Sequence, residues 1–529
     1  MRRCASSEIR QHSGRRQFFS HSHILVGYAL AVSLVFSSRN NLVMPNGIAS
    51  RIVTPELQEQ FAVLSGDRNP LHMDAIAARR TRPGLPVVHG VHTLLWALEF
   101  LVASGHLLSP LSRIKAKFLQ WIYLGDEAVL SLPFDAKPDP RLLKVEVLGL
   151  PVLSVELQFG TGASTEPKSA LIPSPAAPLP AALDISFADL DNRSGHAFTA
   201  TEASVRRFFP QLTASIGPAA VAEIVACSYV VGMEAPGLHS MLSKLDLTIA
   251  RPSPSEGVRT ALHYLVLDRD ERFRKARIAV DGCSVTGTLD AFIRVPPVEQ
   301  PSMQALASHV SASEFADIDA LIIGGSRGLG ELTAKLIAAG GGKSTITYAV
   351  GKIEAESVAS QIRARGSGVQ VLPYDVRMPP PPQLAGLTKP FSHLFYFATN
   401  AIFRPKKNLV SPPVLADFIA FYVIGFHEIC LYLTQAERAS AGKLIAYYPS
   451  SVAVEERPAG MTEYAMAKAA GEQMCRDMNQ SLPNLHILTS RLPRLLTDQT
   501  AGIMPERALD PIGVLLPIVR EMRGLSRGF

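Results

Sequence analysis

Three different rhythms of apolar and polar positions run along the chain. Residues 48–160 open with a helical period from Pro55 to Leu64, then a loop, then a strongly apolar helical stretch from His89 to about Ser104. Period-two segments follow and predict strands at Ile114–Tyr123, Ala128–Pro133, Leu143–Val147 and Val152–Phe159. Residues 186–298 repeat the plan loosely, with a helix near Ala219–Gly232 and strands at Met241–Ile249, Arg259–Asp268, Lys275–Asp281 and Val285–Arg294. The repeat predicts one helix wrapped by an antiparallel sheet, twice over. From 315 to 529 the rhythm changes to alternating strand and helix. Strands are predicted at Ala320–Gly324, Thr345–Val350, Val369–Tyr374, Leu394–Ala398, Lys443–Tyr448 and Leu485–Ser490, with helices such as Leu329–Ala339 and Glu354–Arg365 between them. That spacing predicts an α/β, Rossmann-type doubly wound parallel sheet.

Composition marks the joints. Residues 161–184 are rich in Ala, Pro, Ser and Gly, including Pro167, Pro173, Pro175, Pro178 and Pro180, and read as a linker. A shorter break surrounds Pro296, Pro297 and Pro301, and the run Pro379–Pro382 reads as a loop inside the last block. At the other end, Arg15 and Arg16 precede an apolar run from Ile24 to Phe36. It falls short of the roughly 20 residues a membrane span needs. It is like a signal-peptide core, but no small-residue cleavage site follows. Residues 1–43 are therefore expected to be a start-site artefact with Met44 the working start, a membrane-associating leader being the alternative.

Charge and cysteine usage narrow the function classes. The 529 residues are 47% hydrophobic and 19% charged with a formal net charge of +6, which excludes a largely disordered chain. Lys and Arg are spread out, which disfavours nucleic-acid binding but suits anionic small ligands. Cys4, Cys227, Cys283, Cys430 and Cys475 lie far apart with no CxxC or Cys/His spacing. A reducing compartment, no disulfide framework and no metal are expected.

Two motifs carry chemistry. The first is the stretch Phe61 to His72, reading FAVLSGDRNPLH, with Val87-Val88-His89-Gly90 after it. Hydrating a 2-enoyl thioester needs a base for water and an acid for the alpha carbon, and a carboxylate and an imidazole on one loop can divide those tasks. Asn69 and Pro70 restrict that loop. Gly90 lets backbone approach a thioester carbonyl at a helix start, where a free N–H and the helix dipole favour a developing oxyanion. The pattern SGDxNPLHxD followed by HG resembles the MaoC-like, R-specific enoyl-CoA hydratase family. The resemblance covers the first block, leaving the second as a degenerate copy, and implies a double hot-dog region of α+β class. It also implies Asp67 and His72 as the catalytic pair and Gly90 as the oxyanion contact. Asp74 is expected to cap the next helix, and His89 and His92 to be structural. Trp96 and Leu98 stand where some family members carry a polar side chain. The second block has no Asp-x4-His pair, and is expected to complete the fold and shape the acyl tunnel, Glu234 and His239 being its minor candidates for chemistry.

The second motif is Gly324-Gly325-Ser326-Arg327-Gly328-Leu329-Gly330, after a strand and opening a helix. Its glycines permit a tight turn and close pyrophosphate approach, and the helix N-terminus favours the anion. Ser451 lies 13 residues before Tyr464, and Lys468 four after it, so Tyr464 and Lys468 share a helix face. A nearby ammonium is expected to lower the tyrosine pKa. Together these resemble the short-chain dehydrogenase/reductase family over residues 315–529. The resemblance implies Tyr464 as proton donor to a carbonyl oxygen, Lys468 as its tuner and ribose ligand, and Ser451 as the group orienting the carbonyl. The expected cofactor contacts are Gly324, Ser326, Arg327, Gly328, Leu329, Gly330, Lys352, Asp375 and Val376 near the adenine, Asn400, Tyr464 and Lys468. The second strand ends Tyr348-Ala349-Val350-Gly351-Lys352 without an acid for a ribose diol, and Arg327 and Lys352 could meet a 2′-phosphate, so NADP(H) is favoured over NAD(H). Ile323 replaces the usual Thr, Phe397-Ala398-Thr399-Asn400 stands for an NAG-type segment, Tyr422 for the usual Asn, and Arg494 for the Gly of the later Pro-Gly pair.

The expectation is a cytoplasmic bifunctional acyl-thioester enzyme. An NADPH-dependent 3-oxoacyl reductase would be joined to a (3R)-hydroxyacyl-thioester dehydratase/enoyl-CoA hydratase. The alternatives are a hydratase with a non-catalytic nucleotide-binding module, and a non-catalytic acyl-thioester or nucleotide-binding protein, against which the Asp67/His72 and Tyr464/Lys468 sets speak. The substrate would ride on coenzyme A or acyl carrier protein. No integral membrane span is expected, and a homo-oligomer is compatible.

Overall fold

The computed structural model describes residues 47–133, 138–160, 180–250, 261–387, 389–402, 409–435, 442–498 and 508–527. The expected leader, residues 1–43, lies outside them, as do Cys4 and the linker's residues 161–179.

The first two blocks share one antiparallel sheet. Its first half contains β1 (Gly47–Ile52), β2 (Leu111–Phe118), β3 (Glu127–Ser131), β4 (Leu142–Val147) and β5 (Leu150–Phe159). Its second contains β6 (Ser194–Phe198), β7 (Ser240–Ile249), β8 (Ala261–Asp270), β9 (Lys275–Asp281) and β10 (Val285–Ile293). The order is β1-β3-β4-β5-β2-β7-β10-β9-β8-β6. Read outward from the central seam, the halves run β2-β5-β4-β3-β1 and β7-β10-β9-β8-β6, the same chain order in each. The halves are joined by antiparallel β2·β7 pairing, with Ala116 opposite Leu245. In β2 the period-two pattern buries Ile114 and Ala116 while Lys115 and Lys117 face away.

Each half packs a helix against the sheet. Gly90–Ala103 is apolar on almost every side and buries Val91, Leu94, Leu95, Leu98 and Leu101, as a helix in a core should. Pro218–Tyr229 is its counterpart and continues as a π-helical turn, Val230–Glu234. A single hydrophobic core runs through both halves, from Val53 to Ile293. Two short helices, Glu202–Phe208 and Pro210–Ile216, escaped the periodicity, since seven residues hold too few turns for a period to emerge.

The last block forms a six-stranded sheet: β11 (Asp319–Ile323), β12 (Lys343–Tyr348), β13 (Val369–Pro373), β14 (His393–Tyr396), β15 (Leu444–Ser451) and β16 (Leu485–Leu492). Its pairings among the described residues are all parallel, in the order β13-β12-β11-β14-β15-β16. Strand order reverses at β11/β14, which opens a crevice at the carboxyl ends of the strands. Separate cores flank the sheet. The proline run departs from expectation: Pro380–Leu384 is a short helix rather than a loop, because proline lacks only a donor that a first helical turn leaves unused. Among the described residues one helix, Pro412–Leu433, is long and apolar enough to cross a membrane. It packs against Thr462–Ser481.

Candidate active sites

The Asp67–His72 loop is built by local rules. Thr54 caps Pro55–Ser65, and Gly66 ends it in the left-handed conformation at φ 73°. Asn69 caps the turn Pro70–Met73, its Oδ1 accepting from the Leu71 N–H at 2.9 Å. Asp74 then caps Ala75–Arg79. These three caps hold Asp67 and His72 on one tight loop.

Both blocks of the large sheet then complete the site. Asp67 is buried; its Oδ2 accepts from Ser228 Oγ at 2.7 Å and its Oδ1 from the Asn69 N–H at 3.1 Å. Asn69 Nδ2 donates to the Gly232 carbonyl at 2.7 Å. Gly232 is itself required: a Cβ there would lie 2.3 Å from Asp67 Oδ1. His72 Nδ1 lies 2.7 Å from the Val87 carbonyl, so as donor it leaves Nε2 as the free acceptor. His89 Nε2 sits 3.0 Å from the Asp67 carbonyl, and its ring stacks on His72 at 4.0 Å.

Asp67, His72 and His89 bring one ligand-type atom each to within 4.8 Å of one another. Such a triad could ligate a cation, but each of its members already takes part in hydrogen bonds that fit an acid–base set. Burial pushes the Asp67 carboxyl up against the opposing pull of His72 and Ser228, and pushes the His72 imidazole down. The pair is thus biased toward a neutral acid beside a neutral base.

A cavity of about 480 Å³ opens over this pair. Gly90, the first residue of the central helix, lines it together with Phe118, Trp121, Val231 and Met241. Gly460, four residues before Tyr464, lines it as well. Ser228 and Gly232 escaped the sequence reading because no local motif marks a residue that touches Asp67 from 161 positions away. Glu234 accepts from the Tyr229 and Tyr264 hydroxyls at 3.2 and 3.1 Å, while His239 sits 3.3 Å from Asp184.

In the parallel sheet the glycine loop lies between β11 and the helix Gly328–Ala339, with Gly324 at φ 82°. A Cβ on Gly330 would sit 2.2 Å from the Gly324 carbonyl. The loop, including Ser326, Gly328 and Leu329, is therefore as tight as a pyrophosphate cradle requires. Val376 is buried beside Gly425. Asp375 is paired with Arg377 at 2.6 Å, and Asn400 Oδ1 accepts from the Ala401 N–H at 2.8 Å. Lys352 begins the helix after β12 and is exposed. Arg327 donates to the Arg79 carbonyl at 2.8 Å and lies 3.5 Å from Asp498.

Tyr464 and Lys468 lie on the helix Thr462–Ser481, and Ser451 ends β15. Ser451 hydrogen-bonds Tyr464. Lys468 Nζ donates to the Pro449 carbonyl at 2.6 Å and lies 3.9 Å from the centre of the Tyr422 ring. Tyr422 sits in a π-helical turn, Ala420–Ile424, with its hydroxyl 2.6 Å from Thr399 Oγ1. The expected lowering of the phenol pKa is corrected: burial raises it, with only the Ser451 hydrogen bond opposing. The same dry surroundings push the Lys468 ammonium down to about 7. A lysine whose charged form is disfavoured, facing a carbonyl and an aromatic ring, exerts little pull on the phenol.

The family model described as "MaoC like domain" matches residues 44–146, and that described as "short chain dehydrogenase" matches residues 319–492. The chain is thus a fusion of a MaoC-like domain with a short-chain dehydrogenase domain. Among solved structures it is similar to FolM alternative dihydrofolate reductase 1 from Brucella canis complexed with NADP, at 17% identity and TM-score 0.33, covering 41% of this chain and 88% of that one. It is similar to acetoin dehydrogenase YohF from Salmonella typhimurium, at 17% identity and TM-score 0.34, covering 40% and 91%. It is also similar to L-sorbose reductase from Gluconobacter frateurii complexed with NADPH and L-sorbose, at 15% identity and TM-score 0.31, covering 34% and 70%. No curated protein matches the chain.

Proposed function

We propose that the chain is a bifunctional acyl-thioester enzyme. An NADPH-dependent 3-oxoacyl reductase at Tyr464 would supply a 3-hydroxyacyl thioester to a dehydratase/hydratase at Asp67 and His72. On this reading residues 48–160 and 186–298 form the two halves of a double hot-dog, 161–184 the linker between them, and 315–529 the reductase. The reading is carried by one observation: an acid pushed toward its neutral form and an imidazole with a free Nε2 meet under a cavity at a helix N-terminus.

In the dehydration direction His72 Nε2 takes the proton from C2 of the (3R)-hydroxyacyl group. Asp67 gives its proton to the C3 hydroxyl, which leaves as water while the C2–C3 double bond forms. The Gly90 N–H faces the thioester carbonyl and stabilises the enolate oxygen. Hydration reverses each step. In the reductase domain the glycine loop would hold the pyrophosphate, and Asp375 and Val376 would border the adenine. Asn400 and Lys468 would hold the cofactor's riboses. NADPH, when bound, supplies the hydride. Ser451 orients the substrate carbonyl and Tyr464 protonates its oxygen. A cytoplasmic setting suits the supply of NADPH. Gly460 on the hydratase cavity supports a short path between the two sites.

A second reading, hydratase activity alone, is favoured by one feature. The Tyr422 ring lies against Lys468, where a small amide is usual in this family. Crotonyl-CoA hydration, followed by absorbance, and NADPH oxidation with acetoacetyl-CoA separate the readings. Both activities are expected; hydration alone selects the second. In Asp67→Asn, hydration should fall about 100- to 10,000-fold while reduction persists. Unchanged hydration there sinks the assignment.

A further inference from the structure

The helix Ala75–Arg79 follows directly on the His72 turn, with Arg79 at its end and Arg80 at its C-cap. Both arginines point at the other domain. Arg79 pairs with Glu354 Oε2, and Arg80 Nε lies 2.6 Å from Glu354 Oε1. A Cβ on Gly351 would lie 2.3 Å from an Arg79 guanidinium nitrogen, so that group abuts backbone just beyond β12. In a dinucleotide fold the end of the second strand is where the adenosine ribose 2′ position is read. Arg327, from the glycine loop, joins the cluster through the Arg79 carbonyl and Asp498.

Charge and hydrogen bonding leave room for an anion. Three guanidiniums face two carboxylates, because Glu331 is taken by Lys335 at 2.6 Å. Arg79 Nε is buried without a hydrogen-bond partner among the described residues. A phosphate dianion offers more charge and more acceptor oxygens than Glu354, and guanidinium forks suit it well.

We infer that Arg79 and Arg80, from the MaoC-like part of the chain, complete with Arg327 the site for the 2′-phosphate of NADP(H), so that the nucleotide is gripped across the seam between the two domains. The inference rests on the nucleotide reading above, and adds to it ligands that lie outside the dinucleotide fold.

Equilibrium binding of NADPH and NADH to the full chain, read from nicotinamide fluorescence, tests it. The double variant Arg79→Ala/Arg80→Ala should weaken NADPH by about 10- to 100-fold and NADH by less than about three-fold. Glu354→Gln removes the competing carboxylate, so the ratio of NADPH to NADH affinity should rise. It keeps the test decisive should the double variant fail to fold. Added 2′,5′-ADP should displace NADPH from the wild-type chain and do so less well from the double variant. Equal loss of both nucleotides, or an unchanged ratio in Glu354→Gln, overturns the inference and leaves the nucleotide reading intact. Wild-type protein that binds neither nucleotide overturns both.

Discussion

Asp67 and His72 stand five positions apart, yet groups from the second block hold Asp67 and its loop in place; Tyr464 and Lys468 stand four apart and share one helix. The first pair depends on Ser228 and on the Gly232 carbonyl bound by Asn69. The second depends on β15 and on the ring of Tyr422. Burial perturbs both sets, with different results. At Asp67 and His72 the carboxyl and the imidazole are both driven toward their neutral forms. At Tyr464 and Lys468 the phenol is raised and the ammonium depressed, so the phenol keeps its proton while the charge beside it weakens. Similar dryness thus yields different chemistry according to which partners are supplied.

That contrast can be broken by experiment. We predict the largest effect for Tyr464→Phe, which should lower acetoacetyl-CoA reduction about 100- to 10,000-fold and leave crotonyl-CoA hydration at its wild-type rate. A parallel fall in hydration would mean that the two sites are one catalytic unit. Next comes Ser228→Ala, expected to lower kcat for hydration about ten-fold, the scale of one hydrogen bond to a charged group. Because Ser228 holds the Asp67 carboxyl down, its loss should also move the Asp67 limb of the pH–rate profile upward, with reduction unaffected. A fall in kcat without that shift would reduce Ser228 to packing.

The smallest effect concerns His92. Its ring is buried, stacked on Phe61 at 4.5 Å, and pushed down by burial to about 3. The unfolded chain takes up a proton on that ring as pH falls below the ordinary histidine value, and the folded chain does so only near the depressed one. Stability is therefore lost progressively across that window as pH falls. His92→Phe should recover on the order of 1–2 kcal/mol at pH 5 relative to pH 7.5, measured by urea unfolding. No recovery would mean that His92 finds a partner when charged.

Motifs confined to one loop or one helix were open to reading from the residues alone. The FAVLSGDRNPLH stretch carries its own cap at Asn69, with Asp74 capping the next helix just beyond it, and the spacing of Ser451, Tyr464 and Lys468 follows from a strand end and a single helix. What escaped was long-range. Ser228 carries no local sign of its contact with Asp67, and Arg327 gave no hint that its partner would be the Arg79 carbonyl. The lowering of the Tyr464 phenol was misjudged for a related reason: spacing places an ammonium on the same helix face but says nothing of how dry the surroundings are.

Composition and periodicity by themselves determined that this chain carries a helix-on-antiparallel-sheet region followed by a parallel one, because side-chain rhythm obeys the geometry of a helix turn and a strand pleat. The motifs, through the families they resemble, pointed to the loop that bears the acid and imidazole and to the helix that bears the phenol and ammonium. Only the tertiary structure decided that the second block reaches across to hold Asp67, that Gly460 lines the cavity over Asp67 and His72, and that three arginines gather at the seam. Those are contacts between residues far apart along the chain, and they exist only once sheet order and domain packing bring their side chains within reach.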